Sequence, residues 1–227
     1  MAERKIIDLH EGFFSRLADL LVLNLLCLFC CLPLFTIADS MAAMYYVMLK
    51  IVRRKEEGVV KPFFLFFAGN FGKSIPYSVL MMISAAAVIT LAMGFGYAQN
   101  ALGILAVVPA AVILLILFGW VIPLFAQFDD TLPTTFSNAV KLAVANPQIS
   151  LVILAANGYL IVLFFFLPGL FGYVLYVWGF IGLSLSCRII CPKLVPVFNE
   201  MMREEDRSLM NDPEEPVPSE DAKDTQE

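Results

Sequence analysis

The stretch from residue 17 to residue 54, LADLLVLNLLCLFCCLPLFTIADSMAAMYYVMLKIVRR, decides the fold. Before Lys50 it carries only two formal charges, both of them carboxylates. The hydrocarbon core of a bilayer is about 30 Å thick and takes about 20 apolar residues of helix. The stretch is therefore too long for one crossing. Because proline interrupts a helix, Pro33 predicts a turn between a first span at 17–35 and a second span at 36–52.

The composition of the whole chain indicates a membrane protein. Hydrophobic residues make up 60% of the 227 residues and charged residues 15%, with a mean hydropathy of +0.82. Soluble domains contain about 45–50% apolar residues and about 25% charged residues. The core is therefore expected to form in lipid, as one transmembrane domain at 1–203.

The net charge of −5 is unevenly distributed along the chain. Residues 204–227 hold ten acidic and two basic residues, whereas the rest of the chain carries a net charge of +3. A segment so rich in Asp, Glu, Pro and Ser buries too little apolar surface to offset the entropy lost on folding. We therefore predict an acidic, disordered cytoplasmic tail at 204–227.

Four further apolar runs predict spans three to six. They lie at about 75–97, 101–126, 149–167 and 170–190. Other segments contain apolar residues but are too short or too polar to cross, and we expect them to lie on the membrane surface. These surface segments lie at 1–16, 63–74, 129–148 and 194–202. The predicted fold is an all-α polytopic membrane protein with six transmembrane helices arranged as three hairpins, with cytoplasmic interfacial helices.

The positions of the basic residues favour this count of six spans. Cytoplasmic loops of membrane proteins are enriched in Lys and Arg. With the N-terminus in the cytoplasm, the three outer turns fall near 33–39, 97–102 and 167–170, and none of them contains Lys or Arg. We therefore expect a multi-pass protein of the cell membrane with both termini in the cytoplasm.

Three polar side chains are candidates for an intramembrane site, Asn24, Asp39 and Asn157. Ionisable groups in spans are often functional. However, Asp39 follows Thr36 by three residues, which is the spacing of a capping box, so a capping role is predicted. Asn24 and Asn157 are predicted to join helices through hydrogen bonds, each worth about 0.6–2 kcal/mol. The alternatives are that Asp39 binds a proton or a ligand, and that the three side chains line a permeation route.

A basic patch is predicted at the cytoplasmic end of the second span. Its residues are Lys50, Arg53, Arg54, Lys55 and Lys61. Determination of the topology accounts for such a patch, and contact with anionic lipid adds about 1 kcal/mol for each basic residue. No nucleic-acid-binding module accompanies it, so nucleic acid is not an expected partner.

No catalytic, cofactor or metal site is predicted from the sequence. The cysteines are Cys27, Cys30, Cys31, Cys187 and Cys191. The first three and the last two are expected at different depths of the bilayer, so we interpret all five as small apolar residues rather than metal ligands. Because His10 is the only histidine, the usual general acid–base catalyst is missing from the predicted spans. An enzyme is therefore not expected.

A set of motifs, mostly in the first third of the chain, is similar to those of one known family. The motifs are Asn24-Leu25-Leu26, Leu32–Ile37, Ala43–Tyr46, the basic turn Lys50–Lys55, Pro62-Phe63-Phe64, Phe67 and Asn70-Phe71. In their order and spacing they resemble the YesL-like family of bacterial integral membrane proteins. The resemblance covers roughly residues 10–195 and is best over 13–75. Ala38-Asp39 departs from it, because small apolar residues are expected after the threonine.

The resemblance implies neither an activity nor a cofactor, because the family is a domain of unknown function. Its members often accompany carbohydrate-uptake systems of Gram-positive bacteria. We therefore expect a non-catalytic accessory component of a transport or sensing system, with the lipid bilayer and transporter or sensor membrane subunits as partners. A small channel or facilitative carrier is the alternative. Small-residue faces such as Ala92-x-x-x-Gly96 fit internal packing and a homo-oligomer equally well.

Overall fold

The computed structural model describes residues 17–53, 58–98, 100–166 and 168–211. Within these ranges the regular structure is entirely helical. The helices are α1 (Leu17–Cys30), α2 (Ile37–Val52), α3 (Val60–Tyr97), α4 (Ala101–Gln127), α5 (Leu132–Ala145), α6 (Pro147–Phe166) and α7 (Pro168–Asn211). The surface segment predicted at 1–16 lies outside the described residues.

Several of these helices are suited to crossing a membrane. By length and composition, the described residues contain four candidate spans, Leu34–Val52, Val60–Gly96, Leu105–Gln127 and Gly169–Arg203. α5 and the part of α6 up to Tyr159 meet the same criterion together, as one span bent by 104°. The protein is therefore an all-α membrane protein, whereas the arrangement of six spans in three hairpins is not confirmed.

α2 is the central helix of the fold. It contacts α3, α4 and α7, and ten of its 16 residues are buried. Ala38, Ala42 and Ala43 are fully buried, and such small side chains let neighbouring helices approach closely. The core continues into α3 at Phe63 and into α4 at Trp120, both of which are also fully buried.

The chain between α1 and α2 is broken where Pro33 predicts a turn. Residues Leu34–Thr36 form a single 3-10 turn, in which the Thr36 N–H donates to the Pro33 carbonyl at 2.9 Å. Pro33 lacks an N–H and cannot continue the helical bonding of α1. The two helices are therefore separate elements, each free to take its own direction.

α1 and α2 lie beside each other in antiparallel order. Cys27 of α1 lies within electrostatic range of Tyr45 of α2, and Cys30, nearer the turn, lies within electrostatic range of Asp39. Residue numbers therefore rise along one helix as they fall along the other, as in the hairpin predicted for 17–52. α1 is shorter than the candidate spans, so a hairpin of two membrane crossings is not confirmed.

α3 is longer than the predicted third span. It runs from Val60 to Tyr97 and contains Pro76, so the boundary predicted at residue 75, between a surface segment and a span, is wrong. Phe66 explains why the first half of the helix is held in place. Its ring centroid lies 4.8 Å from that of Tyr46 in α2 and 6.2 Å from that of Phe125 in α4. Aromatic packing on two helices fixes a segment that the sequence assigned to the membrane surface.

α5 matches the helix predicted at 129–148. It ends at Ala145, just before the pair Asn146-Pro147, and α6 begins at Pro147. Ser150 holds the bend between the two helices. Its Oγ donates to the Ala143 carbonyl at 3.0 Å and accepts the Trp120 Nε1–H at 3.0 Å.

α7 joins three regions that were predicted separately. Its 44 residues, with Pro192 and Pro196 inside, include the span at 170–190 and the amphipathic patch at 194–202. The helix continues to Asn211, so it includes the first eight residues of the segment predicted as the tail. Glu and Arg favour helix, and adding residues to an existing helix avoids the cost of nucleation. Residues 212–227 of the predicted tail lie outside the described residues.

Candidate functional site

Asn24 binds the backbone of α7 with both ends of its amide. Its Nδ2 donates to the Gly179 carbonyl at 2.6 Å, and its Oδ1 accepts the Ser184 N–H at 3.1 Å. The side chain is fully buried. Asn24 therefore joins α1 to α7, and its polar atoms are not available to a passing solute.

The carboxylate of Asp39 lies inside the protein. The residue is 0% exposed, and neither Oδ1 nor Oδ2 has a hydrogen-bond partner among the described residues. The capping box predicted for Thr36 and Asp39 is not formed. The Thr36 hydroxyl lies 2.5 Å from the Cys30 carbonyl and 2.6 Å from the Pro33 carbonyl, so it donates backwards instead of accepting from the start of α2.

The start of α2 is capped by a residue of another helix. Ser78 of α3 accepts the Ala38 N–H with its Oγ at 3.0 Å. This contact supplies the acceptor that Thr36 was predicted to provide, and it leaves Asp39 without a capping role. Ser78 was missed in the sequence because a cap that comes from 40 residues away leaves no local spacing pattern.

A cavity of ≈ 320 Å³ lies between α2, α3, α4 and α6. Its wall is mostly apolar, and its polar lining residues are Tyr45, Ser84 and Asn157. The Ser84 hydroxyl and the Asn157 amide each donate to a carbonyl of their own helix, at 2.9 Å. The cavity can therefore hold a largely apolar group.

The three candidate residues do not meet at this cavity. Asn157 lines it, whereas Asn24 and Asp39 do not. Asn24 faces α7 and Asp39 lies at the junction of α1 and α2. The described residues therefore do not contain the route that all three side chains were considered to line.

The two groups of cysteines lie closer together than predicted. Cys187 Sγ and Cys191 Sγ are 3.5 Å apart. Cys27 lies within electrostatic range of Cys187, and all three thiols lie within electrostatic range of Tyr45. The expected separation by depth is wrong, because α1 approaches α7 through Asn24. Among the described residues, no group of three or more His, Cys, Asp or Glu side chains is arranged to hold a metal ion.

Arg53 connects the ends of α2 and α4 to α7. Its Nη1 donates to Gln127 Oε1 of α4 at 2.9 Å, and its Nη2 donates to Asn199 Oδ1 of α7 at 3.4 Å. Partial burial lowers the pKa of Arg53 from its usual value, but a guanidinium remains charged in proteins. This residue of the predicted basic patch therefore has a structural role in addition to its charge.

The remaining residues of the basic patch are differently placed. The Lys50 ammonium lies over the Tyr46 ring, 4.7 Å from its centroid, in the arrangement of a cation–π contact. Lys61 is exposed at the start of α3. Arg54 and Lys55 lie outside the described residues. Within the described part of the patch, Lys50 and Arg53 therefore contact other side chains, whereas Lys61 is exposed.

An ion pair and a hydroxyl contact join α3 to the chain that follows α4. Lys73 Nζ lies 2.6 Å from Asp129 Oδ1, and both side chains are exposed. The hydroxyls of Tyr77 and Thr135 are 3.0 Å apart in the buried interior. These contacts hold the start of α5 against the middle of α3.

Comparison with known proteins identifies the first part of the chain. Residues 20–93 match the model of a family described as a protein of unknown function, DUF624. This family is the YesL-like family. The family segment includes α2, Asn24 and Asp39, so the resemblance inferred from the motifs is confirmed. The comparisons with curated proteins and with solved structures find no match.

Proposed function

We propose that the protein is a non-catalytic accessory component of a membrane transport or sensing system that handles carbohydrate. The family segment and the apolar helices support the placement in a membrane. The tendency of YesL-like proteins to accompany carbohydrate-uptake systems supports the type of system. The partner would be a membrane subunit of that transporter or sensor.

The observation that carries this proposal is an apolar face of α5 that the rest of the chain leaves uncovered. Val140 is 51% exposed and Val144 is 78% exposed, and residues four apart lie on the same side of a helix. The opposite side of α5 is buried at Thr135 and Ala139. With the exposed Lys141 between the two valines, α5 has the character of a helix that binds at a membrane surface or against another subunit.

The polar side chains of the helices also favour an accessory role over a permeation role. Asn24 uses both ends of its amide to hold α7. Asn157 donates to the Ile153 carbonyl of its own helix. These two side chains therefore support the packing of the protein rather than a continuous polar path.

The proposal is tested by purifying the tagged full-length protein from its native membrane in mild detergent, with quantitative mass spectrometry. We expect stoichiometric recovery of a transporter or sensor subunit. Val140→Gln combined with Val144→Gln should reduce that recovery several-fold. Ser137→Gln combined with Ala145→Gln is the control, because both residues are exposed on α5 and neither is one of the two valines or Lys141. Recovery of the protein alone, or equal losses in both variants, would contradict the proposal.

A small channel or facilitative carrier is the second candidate, and the cavity is the observation that favours it. A volume of ≈ 320 Å³ lies at the lower end of the range of about 300–1,000 Å³ found for ligand pockets. This candidate predicts flux of a solute by the purified protein alone in liposomes. An absence of flux across a panel of sugars and ions would exclude it for those solutes.

The placement of both termini in the cytoplasm remains a prediction from the distribution of Lys and Arg. Cysteines introduced at Ala101 or Gly169 should react with an impermeant reagent from outside, whereas one at Glu57 should not. A tag before residue 17 tests the first helix separately. Accessibility of that tag from outside would contradict a hairpin of two crossings.

A further inference from the structure

We propose that Asp39 is a proton-binding site at the junction of α1 and α2. In the closed junction the side chain is a neutral carboxylic acid. It ionises when the junction admits water, which takes up the proton and leaves the carboxylate. This inference is independent of the proposed accessory role, since it concerns the chemical state of one buried group.

The burial of Asp39 is the first observation behind this proposal. The residue is 0% exposed, and both carboxyl oxygens lack hydrogen-bond partners among the described residues. Burial of an ionised carboxylate without a partner costs far more free energy than burial of the neutral acid. A bound proton neutralises the carboxylate and so removes that cost, without a second side chain to balance the charge.

The surroundings of Asp39 supply no compensating charge. From α1, the titratable group within electrostatic range is the thiol of Cys30. From α3, Ser78 caps the same turn of α2 with a neutral hydroxyl. Lys73 of α3 is paired with Asp129 instead. In the described part of the chain, no cation forms an ion pair with Asp39.

A bound metal ion would also neutralise a buried carboxylate, but the neighbouring side chains are unsuitable. Among the described residues, Asp39 does not belong to a group of three or more His, Cys, Asp or Glu side chains arranged around a common point. Metal sites in proteins are built from several such donors. The proton is therefore the ligand that the surroundings favour.

The junction itself provides a means of admitting water. The carbonyls of Cys30 and Pro33 are held by one residue, Thr36, whose hydroxyl contacts both and whose N–H donates to Pro33. On the outside of the same turn, Leu32 is 75% exposed and Leu34 is 59% exposed. A small displacement of this turn would therefore expose the first turn of α2, where Asp39 lies.

The test is infrared spectroscopy of the full-length protein at neutral pH, in ordinary and heavy water. The wild-type protein should show the carbonyl band of a protonated carboxyl group. Asp39→Asn should lose that band. Asp129→Asn should keep it, because Asp129 is exposed and paired with Lys73. Absence of the band from the wild-type protein, or its persistence in Asp39→Asn, would overturn the proposal.

Thermal unfolding in detergent gives a second readout. In the unfolded protein the Asp39 carboxyl is exposed and ionises at about pH 4, whereas in the folded protein burial holds the proton. The unfolding temperature of the wild-type protein should therefore fall as the pH is raised from about 4, and level off once the buried group has itself ionised. The unfolding temperature of Asp39→Asn should lack this fall, because an amide cannot lose the proton. Parallel pH profiles for the two proteins would contradict the proposal. So would failure of Asp39→Asn to fold, since the amide has nearly the shape of the neutral acid.

Discussion

α2 and α3 show opposite relations between hydropathy and burial. α2, with the 3-10 turn before it, is the least apolar of the four candidate spans, yet 61% of its most apolar window is buried. In α3 the corresponding window is more apolar, and none of it is buried. Seven large apolar side chains between Val79 and Met93 are 37–61% exposed. Of these two helices, the more hydrophobic one therefore faces outwards, and the more polar one forms the centre.

This difference follows from the solvent around a membrane protein. Lipid tails are as apolar as leucine, so a leucine gains little by moving from lipid into the protein. Small residues that allow close packing and polar groups that need partners gain more. Ala42 and Asn24 are fully buried for these reasons, whereas Ile83 remains 61% exposed. In this chain, whether a side chain is buried depends on its packing and its polarity rather than on its hydrophobicity.

The largest expected effect separates the centre from the exposed half of α3. Trp120 is fully buried and donates to Ser150, so Trp120→Ala should destabilise the protein by about 3–5 kcal/mol. Leu91→Ala is the control, because Leu91 is 53% exposed. Chemical unfolding in detergent measures both. Equal losses would show that the exposed half of α3 is covered in solution.

Asn24→Leu tests whether a buried polar contact is needed at the centre. The substitution keeps the size of the side chain but removes two hydrogen bonds to α7. The loss should be about 2–3 kcal/mol, since the Gly179 carbonyl and the Ser184 N–H lose their partner. Asn157→Leu is the matched control, because Asn157 bonds within its own helix. The same unfolding experiment measures both variants. A larger loss of stability for Asn157→Leu than for Asn24→Leu would contradict the role of Asn24 in joining α1 to α7.

Substitution by alanine should change the stability of the protein in opposite directions at two glycines. A Cβ on Gly119 would overlap the side chain of Ile153, which is fully buried, so Gly119→Ala should cost about 1–2 kcal/mol. A Cβ on Gly94 meets nothing within 4 Å. Gly94→Ala should therefore stabilise α3 by up to about 1 kcal/mol through its helix propensity. Thermal unfolding of both variants decides this, and a shared sign would be inconsistent with the packing described.

The smallest expected effect is that of the exposed ion pair. Lys73→Gln removes the pair with Asp129, but exposed pairs typically contribute only about 0.2–1 kcal/mol. The effect should disappear in high salt, because exposed charges are screened. Lys61→Gln is the control, as it changes an exposed lysine of the same helix. A loss that persists in high salt would show that Lys73 has a further role in packing.

The parts of the fold that were predictable carry local signals. Pro33 and the pair Asn146-Pro147 interrupt helical bonding within a few residues, and the structure breaks at both places. Composition likewise indicates a membrane protein, because lipid selects apolar residues along whole helices. These features needed no knowledge of which helices are neighbours.

The parts that were not predictable depend on distant contacts. A change in hydropathy predicts a boundary between a surface segment and a span. A helix nevertheless continues across that boundary where contacts with neighbouring helices stabilise it, as the contacts of Phe66 do for α3. The cap from Ser78 and the partner of Asn24 come from helices far along the chain. The interpretation of Asp39 failed for the same reason, because local spacing resembled a capping box and the actual cap came from elsewhere.

The two prolines inside α7 give this long helix a preferred direction of bending. Pro192 and Pro196 lack N–H groups, so the carbonyls of Arg188 and Pro192 lose their helical partners. Positions four residues apart lie on the same side of a helix, so bending stiffness is reduced along one side only. The part of α7 before the prolines is hydrogen-bonded to Asn24, and the part after them is hydrogen-bonded to Arg53. The prolines therefore favour bending of α7 about one axis, at a place between these two contacts.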